Sequence, residues 1–329
     1  MILYLAPLQG FTDRVFRNSF SMFFKGFDLS IAPFISALQG CRYKNKEIRD
    51  VLPEHNRLLP VIPQIMGNDP VDFASVAGVL HDLGYTTVNW NLGCPYKMVA
   101  KKMKGSGLLC FPDVVDSFLE RVFPMIKTGL SIKMRLGRYD HREIFTLMPV
   151  LNRYPLDEIT IHPRTGVQMY DGNVDLDTFE EACSMSKHRI VYNGDIRSLA
   201  DFERISKRLP YIDRWMIGRG VLTDPFLPSA IKTGSDAFDE DKVALVKQFH
   251  DEYYKERLVT LSGPVHVMDR MKSFWSYLAP SLEGGDDLFK QIKKVRDPEV
   301  YDVRLEEFFQ RGTRWVGPFE LSKGGCDHL

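Results

Sequence analysis

The chain has 329 residues, 44% of them hydrophobic and 26% charged, with 43 Lys+Arg balancing 43 Asp+Glu. Such a length and composition suit a soluble globular protein with a substantial core, built as one large domain or a large and a small one. Zero net charge excludes a global attraction to polyanions, so any nucleic-acid surface has to be a local patch. The five cysteines (Cys41, Cys94, Cys110, Cys183 and Cys326) are odd in number, widely spaced and without a Cys-x-x-Cys pair. That usage argues against a disulfide framework and a structural zinc site, and fits a reducing, cytoplasmic setting.

Residues 1–7 are apolar but lack a basic segment and meet Pro7 at once, so they read as a first strand rather than a secretory leader. No run is long and uncharged enough to span a bilayer. Short apolar runs then alternate with helix-length segments: residues 2–6, 29–34, 61–66, 87–91, 130–135, 158–162, 189–193 and 214–218. Continuous apolar strands between helices predict a parallel sheet. Eight of them within about 220 residues predict an α/β fold of the (β/α)8 TIM-barrel type. A doubly wound open sheet would usually show Gly-x-Gly-x-x-Gly after its first strand, where Pro7-Leu8-Gln9-Gly10 stands here. Residues 233–241 form an acidic, turn-rich joint, and helices are predicted beyond it at 242–258, 266–278, 286–295 and 301–309. In the first of these Val243, Val246, Phe249 and Tyr253 share one face. The expected domains are a barrel over 1–235, a small helical domain over 240–312 and a tail at 313–329.

Catalytic groups of such barrels sit at the carboxyl ends of the strands. Those ends carry Pro7, Gln64, Asn91 with Cys94, Lys133 with Arg135, His162 with Arg164, Asn193-Gly194-Asp195, and Gly218-Arg219-Gly220. Polar groups at nearly every such position exceed what packing requires. Lys133 and Arg135 are two apart and face one side; His162 and Arg164 do the same if the strand runs on past Pro163. Cys94 ends an apolar run and precedes Lys97, Lys101, Lys102, Lys104, Gly105 and Gly107. A thiol beside a flexible cationic loop can act on a negatively charged substrate. The triplets at 193–195 and 218–220 follow the last two strands, where barrels often bind phosphate; glycine lets backbone N–H groups approach, and Arg219 would neutralise the anion. A phosphorylated cofactor would then lie across the mouth. Lys133 suits a ring that becomes anionic on reduction, and Gln64 could hydrogen-bond its edge. Lys133 is also readable as a Schiff-base lysine, a reading that leaves Cys94 without a role.

The stretch Ala6-Pro7-Leu8-Gln9-Gly10-Phe11-Thr12-Asp13-Arg14-Val15-Phe16-Arg17 resembles the opening motif of the tRNA-dihydrouridine synthases, and Asn91-Leu92-Gly93-Cys94-Pro95 resembles their active-site signature. Lys133-Met134-Arg135-Leu136-Gly137, His162-Pro163-Arg164-Thr165, Asn193-Gly194-Asp195 and Gly218-Arg219-Gly220 follow in that family's order. Residues 270–278 resemble the bacterial C subgroup. The resemblance implies FMN held by Pro7, Gln64, Lys133, His162, Asn193, Gly194, Gly218 and Arg219, with Asp195 in the phosphate turn. It implies NADPH or NADH as reductant and no metal. Hydride would pass to C6 of a D-loop uridine, in the C subgroup at position 16. Cys94, as general acid, would protonate C5 from the opposite face and give 5,6-dihydrouridine. Asn91 and Arg135 would touch the uracil, with Arg164, Lys97 and Lys272 as further substrate contacts. The Cys94 loop is expected to close over the site, and the base to be flipped out of the tRNA at a cost of a few kcal/mol. Lys97, Lys101, Lys102 and Lys104 on one domain, and Lys290, Lys293, Lys294 and Arg296 on the other with Arg270 nearby, would meet tRNA phosphates. No membrane or protein partner is implied, and a monomer is expected.

Three departures from the family pattern stand out: Pro163 after His162, Ser106 within Lys104-Gly105-Ser106-Gly107, and Trp90 where a smaller aliphatic is usual. An alternative is an FMN barrel acting on a free pyrimidine, like the dihydroorotate dehydrogenases, which would need no cationic helical domain. A third is an RNA-binding protein that has lost catalysis; intact Cys94, Lys133 and His162 oppose it.

Overall fold

The structure, a computed structural model, describes residues 1–238 and 240–318. Cys326 and the remainder of the expected tail from 319 on, as well as Asp239 in the joint, lie outside the described residues. In chain order the strands are β1 (Ile2–Leu5), β2 (Leu29–Ile31), β3 (Ile35–Ser36), β4 (Val61–Ile62), β5 (Gln64–Met66), β6 (Thr87–Leu92), β7 (Gly129–Gly137), β8 (Glu158–Thr165), β9 (Arg189–Tyr192) and β10 (Arg214–Ile217).

All pairings between these strands are parallel, and they close on themselves. β1 pairs with β10 and β2, and the series from β5 through β10 pairs neighbour to neighbour. β2 pairs with β4 while β3 pairs with β5. Pro33 separates β2 from β3, and Pro63 separates β4 from β5. Proline has no N–H to give to a ladder, so each break falls where the sequence removes a donor. Rejoining the two broken strands makes the ten segments eight staves, as the alternation of apolar runs predicts.

Alternation along the strands decides what the barrel mouth contains. In β7, Leu130, Ile132, Met134 and Leu136 are fully buried, while Ser131, Lys133 and Arg135 face the other side. In β6, Trp90 stacks on Phe118 of the helix Pro112–Val122 at 4.0 Å between centroids and donates Nε1–H to Gly67 O. Trp90 therefore packs on the helical side, and Asn89 and Asn91 take the inner face. Along β8 the strand does run past Pro163. Arg135 pairs with His162 and Gly137 with Thr165, so one residue of β7 opposes two of β8. The bulge absorbs the missing N–H of Pro163.

The chain divides into two compact units: Met1–Arg14, Phe27–Asp195 and Ser206–Ile217 form the first, and Val15–Gly26, Ile196–Ile205 and Gly218 onward the second. The barrel strands all belong to the first. The second holds helices at Lys242–Thr260, Pro264–Leu278, Gly285–Ile292 and Pro298–Gln310, close to the four expected. Three of the four carry proline or a side-chain cap at their start, where unpaired N–H groups need one. The core of this unit is aromatic. Phe16 meets Phe249 edge-on at 5.8 Å, and Tyr253 stacks on Phe274 at 5.2 Å. The buried Tyr301 hydroxyl accepts from Trp275 Nε1 at 2.8 Å and lies 2.7 Å from His250 Nε2. The first part of the expected tail is tied down: Trp315 bridges to Leu282, and Arg314 pairs with Glu283.

Candidate active site

Four inner-face polar residues from three adjacent strands form one chain of hydrogen bonds. Asn89 Nδ2 donates to Ser131 Oγ at 2.9 Å, and Gln64 Nε2 donates to Asn89 Oδ1 at 2.7 Å. Asn91 Nδ2 donates to Gln64 Oε1, also at 2.7 Å. Asn91 Oδ1 then accepts from Gly93 N at 3.1 Å and Cys94 N at 2.9 Å. That contact explains the Asn-x-Gly-Cys spacing: a short amide reaches the N–H groups two and three residues ahead and bends the chain into the turn that carries the thiol.

Arg135 holds the same turn from β7. Its Nε donates to Gly93 O at 3.0 Å, and its NH1 donates to the carbonyls of Thr165 and Met169. Its guanidinium also lies over the Tyr170 ring. The glycine-bearing loop closes the other flank. Gly105 has φ +56°, and a Cβ there would sit 2.8 Å from Cys94 O, so only glycine is accommodated without shifting the backbone. Ser106 N and Ser106 Oγ both donate to Cys94 O, at 3.0 and 2.9 Å. The turn Gly105–Leu108 is buried. The segment expected to be a flexible, closing loop is thus bonded into the wall of the site. Of its lysines, Lys97, Lys101 and Lys102 are exposed, while Lys104 Nζ donates to Ala37 O at 3.2 Å.

Two groups of the mouth have shifted ionisation. Burial pushes the Cys94 thiol above its ordinary pKa; the Tyr96 N–H and the charges of Arg135, Arg138 and Lys133 offset part of that rise. Lys133 keeps some exposed surface at the mouth, but the protein around its ammonium, with Arg135 beside it, pushes its pKa down to about 7. It makes no hydrogen bond or ion pair among the described residues. A lysine held in that state needs a partner or a function.

On the far strands, Asn193 Nδ2 donates to Met216 O at 2.9 Å, leaving its carbonyl end toward other contacts. His162 is buried, with Nε2 3.1 Å from Arg164 NH1. Arg164, expected to meet substrate, is 1% exposed. It pairs with Asp195 through both guanidinium ends, NH1 to Oδ1 at 2.9 Å, and donates to the carbonyls of Asp171 and Gly172. Its geometry is that of a strut under His162, and Asp195 is the strut's other half. Pro7 follows β1 and is partly exposed. Gly218 and Arg219 follow β10 in the chain and begin the last segment of the second unit, which also contains Lys272 within Pro264–Leu278, 3.7 Å from Asp269. Met271, Phe274, Trp275, Tyr277 and Leu278 of the 270–278 motif are core.

The pattern of strand ends brought Gln64, Asn91, Cys94, Lys133, Arg135 and His162 into view. It missed Asn89 and Ser131, one pair deeper on the same inner face, which the alternation that placed Asn91 and Lys133 also marks. It missed Arg138, in a loop, and Ser106, in the short helical turn Gly105–Leu108, where no strand period applies. Among the described residues no group of three or more His, Cys, Asp or Glu side chains is placed to hold a metal ion, and no helix is long and apolar enough to cross a membrane.

The profile of a family described as Dihydrouridine synthase (Dus) matches residues 4–311. The tRNA-dihydrouridine synthase B of Pasteurella multocida is 29% identical over 316 residues, covering 93% of this chain and 92% of that protein. The tRNA-dihydrouridine(16) synthase of Cupriavidus necator is 26% identical over 311 residues, covering 92% and 96%. Among solved structures, an old yellow enzyme homologue from Zymomonas mobilis superposes with a TM-score of 0.51 at 11% identity, covering 74% of this chain and 91% of that one. At that identity the likeness carries the α/β barrel fold alone.

Proposed function

The chain belongs to the dihydrouridine synthase family, and from that premise we propose that it reduces a uridine of tRNA to 5,6-dihydrouridine, with FMN as its flavin and NADPH or NADH as reductant. The observation that carries this reading is the pair of groups at one mouth: a lysine with no hydrogen-bond or ion-pair partner among the described residues, and a thiol that burial keeps protonated. The residues present fit FMN. Lys133 offers a cation to a ring that gains negative charge, Gln64 on β5 and Asn193 just past β9 carry amide groups, and His162 on β8 stands braced by Arg164. Pro7, Gly194, Asp195, Gly218 and Arg219 are proposed with them from their sequence motifs. When bound, FMN supplies hydride to C6 of the uracil.

Everything else is work for the chain's own residues. The Cys94 S–H bond breaks, its proton goes to C5, and the thiolate left behind faces Arg135, Arg138, Lys133 and the Tyr96 N–H before solvent returns the proton. A thiol whose pKa lies above neutral still carries that proton when the base arrives. Asn91 and Arg135, proposed to line the uracil, also fix the turn that aims the thiol. Lys97 and the half-buried Lys272 are proposed to meet tRNA phosphate, and so are the exposed Lys290, Lys293, Lys294 and Arg296. The second unit is accordingly the proposed tRNA platform, and position 16 the proposed target. The enzyme is proposed to act as a cytoplasmic monomer.

The test is direct. The purified protein should be yellow, release FMN on denaturation, and have its reduced flavin oxidised by tRNA lacking dihydrouridine and not by free uracil. A colourless active protein overturns the cofactor, and oxidation by free uracil at the tRNA rate overturns the substrate.

A further inference from the structure

We propose that Arg138 is a positioning residue for the Cys94 thiol, acting through the backbone on the side of the turn that Asn91 and Arg135 do not reach. The proposal rests on Cys94 being the acid.

The backbone groups around the thiol can be counted completely. Gly93 N and Cys94 N are taken by Asn91, and Gly93 O by Arg135. Cys94 O accepts twice from Ser106. Pro95 has no N–H, and its carbonyl accepts from Arg138 NH1 at 2.9 Å. The same NH1 donates to Ser106 Oγ at 3.1 Å, and Ser106 Oγ donates onward to Cys94 O. Arg138 therefore orients the serine hydroxyl: with its oxygen accepting from the guanidinium, its one hydrogen is committed to Cys94. One buried cation fixes the last two carbonyls of the turn.

The surroundings are built to put it there. Arg138 is 7% exposed although it lies one residue beyond β7, in a loop. The Glu143 carboxylate accepts from Arg138 N at 2.6 Å and from the next two N–H groups, which turns the chain back on itself. A Cβ at Gly166 would stand 2.6 Å from Ser106 Oγ and 2.9 Å from Arg138 Cδ and NH1. Gly166 thus leaves the space that the guanidinium and the serine share. The guanidinium bonds the carbonyl and the hydroxyl around the thiol rather than the sulfur, so its influence is through position and field. The charged and titratable groups facing that sulfur are Arg135, Arg138 and Lys133, with Tyr96 beside it.

Arg138→Leu, Arg138→Lys, Ser106→Ala and Gly166→Ala are compared with the parent as flavin-loaded enzymes. Reduction of the flavin by nicotinamide nucleotide is expected to stay within twofold. Oxidation by tRNA is expected to slow about tenfold or more in Arg138→Leu, because small misplacements of a reacting group cost that much. Arg138→Lys should recover part of the loss. Iodoacetamide labelling of Cys94, followed by peptide mass across pH, should shift its midpoint upward in Arg138→Leu. A purely structural arginine would lower melting temperature and flavin content without moving that midpoint. Should Arg138→Leu fail to fold, Gly166→Ala and Ser106→Ala carry the same expectation of slowed tRNA oxidation. Oxidation within twofold of the parent and an unmoved labelling midpoint overturn the proposal. If Cys94→Ala is itself oxidised by tRNA as fast as the parent, the acid assignment beneath it fails instead.

Discussion

Replacing Lys133 with methionine should stabilise the flavin-free protein while impairing the flavin-loaded one. In the fold the pKa falls from 10.5 to about 7, because burial and Arg135 penalise the charged form. The sign follows from proton binding: between about pH 7 and 10.5 the unfolded lysine holds a proton that the folded one has released, so stability rises with pH across that window. Below about pH 7 both states are protonated, and the fold bears the full penalty. A tenfold change in a protonation equilibrium is worth about 1.4 kcal/mol, which puts the ceiling on the order of 5 kcal/mol. Solvent at the mouth screens the charge, and about 2 kcal/mol is the expected size. A gain of that size raises a melting temperature by about 3 °C in a protein this large. The assay is thermal melting of flavin-stripped parent and Lys133→Met at pH 6 and pH 9.5. The variant should melt higher at pH 6, the gap should narrow at pH 9.5, and the variant should bind FMN more weakly. A variant that melts below the parent at pH 6, or a gap independent of pH, would refute the idea that this lysine is kept for chemistry at the fold's expense.

Cys94→Ala should keep its flavin and its reduction by nicotinamide nucleotide, yet lose uridine reduction by roughly 10²–10⁴-fold. Cys94→Ser should lie near it, a hydroxyl being a far weaker acid, while alanine at Cys41, Cys110 or Cys183 should leave turnover close to the parent's. Charge reversal at Lys290, Lys293 and Lys294 should weaken tRNA affinity and flatten its salt dependence by up to about 0.9 for each phosphate no longer neutralised, with the flavin spectrum unchanged. Unaltered binding in filter assays would make that face a solvated one. Mapping of dihydrouridine in tRNA from a deletion strain should show loss at position 16; loss at a different D-loop position would exclude the subgroup reading.

The barrel was legible because both faces of its strands are buried, so each stave is a continuous apolar run and the eight runs count themselves. The two broken staves were not, because a proline inside an apolar run changes pairing without changing hydrophobicity. Residues 15–26 were read with the barrel for a similar reason. Val15, Phe16 and Phe20 make an apolar face that would suit a barrel helix, and nothing local says that Phe249 is their partner. Site residues on strands were legible because alternation fixes which way a side chain points. Alternation also put His162 and Arg164 on one side, but it could not say what Arg164 does there. Only the position of Asp195, 31 residues on, turns that guanidinium into a strut.

The three departures from the family pattern sort by the same geometry. Trp90 points to the helices and stacks on Phe118, so its bulk is a matter of packing outside the site. Pro163 sits in a bulge, where its missing N–H costs no ladder bond and the strand still delivers His162 and Arg164 to one side. Ser106 alone reaches the turn that carries the thiol, since its hydroxyl joins Arg138 to the Cys94 carbonyl. A general acid, the role proposed for Cys94, faces opposing demands. The sulfur must hold its proton until the base is in place, and it must then survive as a thiolate in a buried site. Burial meets the first demand by raising the pKa, and the surrounding cations meet the second. A sulfur on a loose loop would alternate between solvent, where burial no longer protects its proton, and the site, where the cations are. Pinning every backbone group of the turn keeps both influences on the thiol at once, which is why a rigid wall suits the proposed acid better than a closing flap.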